Sequence, residues 1–252
     1  PVAAGQTTAI TVPSGAKVYY TTDGTDPRAE GGQPSASALE YVGTPVPLSS
    51  TMKVIARTWR PGSFAIPATN WSGPVEALYL VDEVYASEAN LEVSAICYNP
   101  LAPDPAEAAA MPEAVAGDFE WIEFKNIGSG ALNLVGVTLG EGTPVAELTL
   151  PAFTLAPGAR GVVVKNRQAF TLRYGSAAAA RIVAAWTGDG SLDNAGEAIH
   201  VYDHEGEVIT EFNYDDEDDW PERADGDGSA LEFVGSGPFP NYEDPANWKA
   251  SD

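Results

Sequence analysis

The feature that most limits what this chain can become is its punctuation. Short runs of β-branched and aromatic residues recur along it, and nearly every run stops at a Gly, Pro, Asn or Asp pair. Lys17-Val18-Tyr19-Tyr20-Thr21-Thr22 runs straight into Asp23-Gly24, a dipeptide suited to a tight turn because glycine accepts positive φ. After a small, polar stretch over 28–38, Lys53-Val54-Ile55-Ala56-Arg57-Thr58-Trp59 alternates with period two. Pro61-Gly62 and Trp71-Ser72-Gly73-Pro74 punctuate the next stretch, and 76–81 reads as a last strand before the acidic residues of 82–89. A second series opens at 91–98, closes on Asn99-Pro100, and resumes at 119–126, 131–139, 146–150, 161–165, 198–203 and 208–214. Strands this short bury one face each only by packing sheet on sheet. The expectation is an all-β chain of two β-sandwich domains, 1–82 and 90–252, with a linker over 83–89 and the boundary near residue 88.

Two segments break the pattern. Residues 101–117 are rich in Ala, Pro and Glu without a sustained period, which predicts a long exposed loop with one helical turn. Asn166 can cap a short helix over 167–174 that ends at Gly175. That connector helix is expected across one end of the second sandwich.

Composition narrows the partners. With 13 basic against 36 acidic residues, the surface repels nucleic-acid backbones and anionic membranes. It favours divalent cations, basic partners, or solubility in a salty medium. A single cysteine, Cys97, excludes an internal disulfide and any multi-cysteine metal site. No apolar run reaches the length of a membrane span. The opening at Pro1, without methionine, reads as an excised piece of a longer protein.

The segment Tyr20-Thr21-Thr22-Asp23-Gly24-Thr25-Asp26-Pro27-Arg28, with the later 53–59 strand and Trp71-Ser72, resembles the small β-sandwich domain at the C-terminus of chitobiases and hexosaminidases. In that family the domain is an accessory to a catalytic barrel. The second half resembles a bacterial lamin-tail domain, an immunoglobulin-like β-sandwich. Carrying that likeness are Phe119-Glu120-Trp121-Ile122-Glu123-Phe124-Lys125-Asn126-Ile127-Gly128, 132–137, Leu155-Ala156-Pro157-Gly158 and 164–170 with Arg173-Tyr174-Gly175. Asn194-Ala195-Gly196-Glu197, Trp220-Pro221, Ala224-Asp225-Gly226 and Asn247-Trp248 complete it. The family usually has an acid after the serine of its first strand, whereas Ser94 is followed by Ala95. The resemblance implies immunoglobulin- or fibronectin-like modules of a large secreted or cell-surface bacterial protein. Such tandems often accompany a spore-coat-kinase-like domain, yet this chain has neither a Gly-rich phosphate loop nor a His-Arg-Asp loop.

The chemistry-bearing residues have competing readings. A serine hydrolase would need His200 or His204, and no Gly-x-Ser-x-Gly elbow is present. Glu120 and Glu123 are the first acids to consider for glycoside hydrolysis, but three positions apart on a strand they face opposite ways. Glu123 reads instead as the holder of a neighbouring loop. Between 203 and 227 lie twelve acids with Arg223 as the sole formal cation. Asp215, Asp216, Asp218, Asp219, Asp225 and Asp227 could ligate calcium through hard oxygens, or simply form a solvated acidic face. Trp71, Trp186, Trp220 and Trp248 sit in loop-like contexts, where they could stack sugars or close the ends of a core. Asp23, Asp26 and Arg28 read as turn residues. The expectation is a non-catalytic chain with no cofactor, calcium aside. It would act as spacer, adhesion or protein-interaction module beside other domains of a parent protein, or alternatively bind cell-surface or extracellular polysaccharide.

Overall fold

The computed structural model describes residues 1–60, 70–140, 148–186, 190–236 and 241–252. The fold is all-β in class, with strands in several sheets and two α-helices among the described residues. It divides into two compact units, Pro1–Val84 and Tyr85–Asp252. The stretch 83–89, read as a linker, holds a strand at Glu83–Tyr85 that the sequence did not announce. The Pro61-Gly62 turn and the start of the 146–150 run lie outside the described residues.

The first unit contains β1 (Gln6–Thr8), β2 (Lys17–Thr21), β3 (Leu39–Glu40), β4 (Val46–Leu48), β5 (Met52–Trp59) and β6 (Val75–Tyr79). An antiparallel sheet runs in the order β3-β2-β5-β6, and β1 pairs with β4. The branched runs pair as their propensity suggests, Val18 opposite Thr58 and Tyr20 opposite Ala56. Val18, Tyr41 and Val46 form the small buried core, with Ile10, Tyr20 and Ala56 against it.

The segments that carry the first resemblance meet at one side chain. Arg57 on β5 donates from Nε and Nη2 to both oxygens of Asp26, at 2.8 and 2.6 Å. Its Nη1 donates to the Ser72 carbonyl at 2.6 Å. This bidentate geometry locks the turn after β2 and the Trp71-Ser72 segment onto one strand. It also holds the Asp26 carboxyl below its usual range, with a smaller contribution from the Arg28 amide. Asp23 accepts from the backbone and hydroxyl of Thr25, and Gly24 takes φ 76°, so the Asp-Gly pair makes a side-chain-closed turn.

With β7 (Glu83–Tyr85) at the division, the second unit continues through β8 (Leu91–Cys97), α1 (Pro105–Ala110), β9 (Trp121–Asn126), β10 (Ala131–Asn133), β11 (Thr138–Leu139), β12 (Leu148–Thr149) and β13 (Thr154–Leu155). Then come β14 (Arg160–Val164), α2 (Arg167–Ala179), β15 (Ile182–Ala185), β16 (Glu197–Tyr202), β17 (Val208–Tyr214), β18 (Leu231–Phe233) and β19 (Trp248–Ala250). The larger sheet has the order β15-β14-β9-β8-β18-β19, and a second runs β12-β11-β16-β17. Ile96, Ile122, Phe124 and Val163 from the first share one core with Leu139, Ile199, Val201 and Phe212 from the second. Each such side chain contributes about 1.5–3 kcal/mol by leaving water.

Three expectations change here. The helix begins at the Asn166 cap as read, but it does not close an end of the unit. It joins β14 to β15, which lie parallel, and packs Phe170 onto Val162, Val164 and Ile182 on the far face of the larger sheet. A parallel pair needs a crossover of this length, and the helix covers the face it crosses. Gly175 (φ 79°, ψ 170°) breaks α2 where the helix was expected to stop, and a further helical turn follows it. The run 131–139 divides into β10 and β11 at Gly136, φ 80°. The 101–117 segment carries the expected helical turn as α1, on which Asp104 and Glu107 close a capping box, and Glu107 pairs with Arg173 of α2 at 2.8 Å. The Arg173 guanidinium also lies 3.5 Å from the Phe119 ring centre.

Candidate functional site

A cleft of about 580 Å³ opens in the second unit, lined by Tyr98–Pro100, 115–117, Glu120, 191–194 and Glu197. Glu120 follows a short helical turn at Ala116–Phe119 and precedes β9, which leaves its side chain 3% exposed at the cleft floor. Its Oε2 accepts from the Leu192 amide at 2.8 Å. Glu197, the first residue of β16, accepts from the Asp193 amide at 3.0 Å and from the Tyr214 hydroxyl at 3.0 Å. Burial pushes both carboxyls up to about 7; the amide bonds pull the other way, and Glu197 adds to the rise at Glu120. Lys165 donates to the Ser191 hydroxyl at the rim. Carboxyls poised near neutral pH are what acid–base chemistry requires, so this cleft is where catalysis would have to be sought.

Glu197 was not singled out from the sequence, although the Asn194-Ala195-Gly196-Glu197 motif contains it. Its role comes from a turn: Asp193 accepts from the Ala195 amide, Gly196 adopts φ 94°, and Glu197 returns to the Asp193 amide.

Glu120 and Glu123 do serve different surroundings. Glu123 is 5% exposed and ion-paired with Arg160 at 2.5 Å and Arg181 at 2.8 Å. It also accepts from Ser94 Oγ at 2.8 Å. Ser94 sits at a β-bulge, where the register slips between Val93 and Ala95. Glu123 therefore ties β8 to β14 and, through Arg181, holds the turn that leads into β15.

Other motif residues are engaged in the same way. Buried Asn126 donates to the carbonyls of Gly130 and Leu155 and accepts from the Gly128 amide, which fixes the turn after β9. Asp225 accepts from Asn99 Nδ2 at 2.6 Å, and Tyr174 Oη accepts from the Trp121 indole. His204 stacks on Tyr85 with ring centres 3.7 Å apart, and His200 lies on β16 near Tyr202 and Glu211.

The four tryptophans are not platforms. Trp71, Trp186, Trp220 and Trp248 are 8, 4, 9 and 4% exposed. Trp71 packs on Tyr19 and Trp59, and Trp248 on Trp220, Phe212, Phe233 and Tyr242. The indoles of Trp71, Trp186 and Trp248 donate to the carbonyls of Gly32, Gly190 and Tyr242. A ring buried this way offers no free face to a sugar.

The acidic stretch is turn-rich. Asp215 accepts from the amides of Asp216 and Glu217, and Asp218 takes φ 56°. Asp215, Asp218, Asp219, Asp225 and Asp227 are exposed, and Asp216 is half-buried. Among the described residues, no group of three or more His, Cys, Asp or Glu side chains is disposed to hold a metal ion. In comparisons with known proteins the chain matches no family model, no curated protein and no solved structure.

Proposed function

We propose that this chain is a non-catalytic accessory segment of a larger secreted or surface-attached protein, working as a spacer and as an adhesion or protein-interaction module beside other domains. One observation carries the reading. The residues that stand out in the sequence, Asp26, Arg57, Glu123, Asn126, Arg173, Gly196 and Asp225, all hydrogen-bond to or pack against other parts of the fold. Side chains that close turns and join strands in this way support a structural role for the motifs that contain them.

The excess of acids, 36 against 13 basic residues, then serves solubility and repulsion from nucleic acid and anionic membranes. No described helix is long and apolar enough to cross a membrane. A glycan array probed with the isolated chain, with and without calcium, separates the spacer reading from polysaccharide binding. The expected result is no retention above background in either condition. Calcium-dependent retention lost on Asp225→Asn and Asp227→Asn, or retention lost on Trp71→Ala or Trp220→Ala in a folded variant, would replace it with a carbohydrate-binding function.

A further inference from the structure

We propose that Glu120 and Glu197 form a pH-sensitive latch on the segment 190–197, closed in mildly acidic solution and progressively loosened as the pH rises to neutral. Glu120, remote in sequence, and Glu197, which ends the segment and opens β16, meet in one cleft and accept from adjacent amides of that segment, Glu120 from Leu192 from outside it and Glu197 from Asp193 by closing its own turn. The segment is held again by the Tyr214 hydroxyl, whose one hydrogen is shared between the Asp193 carbonyl at 2.7 Å and Glu197 at 3.0 Å, and by the Trp186 indole on the Gly190 carbonyl at 3.2 Å.

The groups facing the pair are mostly of one sign. Asp193 is a third acid on the cleft wall, and no cation is present among the described lining residues. Lys165 stands outside at the rim, engaged with Ser191 and acting on Glu120 from a distance. From the packed strands, the facing titratable groups are the neutral Tyr98, Tyr214 and Cys97, all raised chiefly by burial. Asp215, Asp216 and Asp225 add negative potential behind Tyr98. Glu120 is buried and Glu197 half-buried, and the backbone amides that they accept from, with the Ser191 hydroxyl at Glu120, offset only part of the cost of charging them.

Linkage sets the sign. Closed, each carboxyl holds its proton to about 7, against an ordinary value of 4.5. The closed form binds more protons than the open one between those values, so the latch weakens as pH climbs through that window and is level above it. The test is amide hydrogen exchange of Leu192 and Asp193 on the full chain at pH 5 and 7.5, corrected for the intrinsic rate. The opening constant is expected to rise more than tenfold, and Glu120→Gln with Glu197→Gln should remove most of that rise. An unchanged opening constant, or the same rise in the double variant, overturns the proposal. Should the double variant not fold, carboxyl-carbon NMR titration of the unaltered chain decides: midpoints near 7 support the latch, and midpoints in the ordinary carboxylate range end it.

Discussion

Gly196→Ala is expected to lower the stability of the second unit by about 3–5 kcal/mol, the upper range of single-site effects. A Cβ at this position would stand 2.4 Å from the Tyr214 carbonyl oxygen and 2.8 Å from Asp215 Cα, both of them backbone atoms that cannot swing aside. The residue also sits at φ 94°, where an L side chain adds strain. Relief would require β16 and β17 to part at Glu197 and Tyr214, where they pair. Gly175→Ala is the internal control. Its φ is 79° and its ψ 170°, but a Cβ there meets nothing within 4 Å, so only a backbone strain of about 1–3 kcal/mol remains. Urea unfolding of the two variants should separate them clearly. Equal effects would show that the approach of the β16 turn to Tyr214 is not tight.

The second large effect is expected at Glu123. Removing both of its cations, Arg160→Ala with Arg181→Ala, leaves a carboxylate that is 7% exposed at the side chain with Ser94 as its remaining side-chain partner. Breaking a buried pair from one side costs about 3–5 kcal/mol when water cannot reach it. Here the two arginine side chains are 35 and 42% exposed, so solvent screening brings the expectation to about 2–4 kcal/mol. Adding Glu123→Gln to the double variant should restore part of the loss, because the uncompensated charge is gone. A triple variant no more stable than the double one would contradict a charge-based account.

The strands that could be read in the sequence are those long enough to show a pattern. Residues 17–21, 52–59, 91–97, 121–126, 160–164 and 208–214 are rich in β-branched and aromatic residues, and each lies in a sheet. β15, β18 and β19 escaped because they span three or four residues and are defined by distant partners: β18 pairs with β8, and β15 reaches its parallel partner β14 by way of the helix between them. Loop-like neighbours left the tryptophans between sugar platform and core end, since Gly and Pro mark turns but do not say whether the turn folds its ring back over the core. Trp220 and Trp248 do so, with ring centres 6.0 Å apart. The cleft was half legible. Glu120 stood out as an acid in a strand-like run, whereas its companion Glu197 is brought to it by the pairing of β16 with β17 and the turn at Gly196. Asn126 and Arg57 could be noticed as motif members, but what they bind becomes visible only when turns remote in sequence converge on them.

The claim that these motifs serve the fold rather than a reaction is tested most directly by turnover. The purified chain is incubated with chromogenic glycosides, esters and phosphoesters from pH 5 to 8, beside Glu120→Gln and Glu197→Gln, the two carboxyls best placed for proton transfer. Release of chromophore no faster than in buffer, for all three proteins, is the predicted result. Hydrolysis of any substrate by the unaltered chain, abolished by either substitution in a protein that keeps its fold, would contradict it and make the cleft an active site.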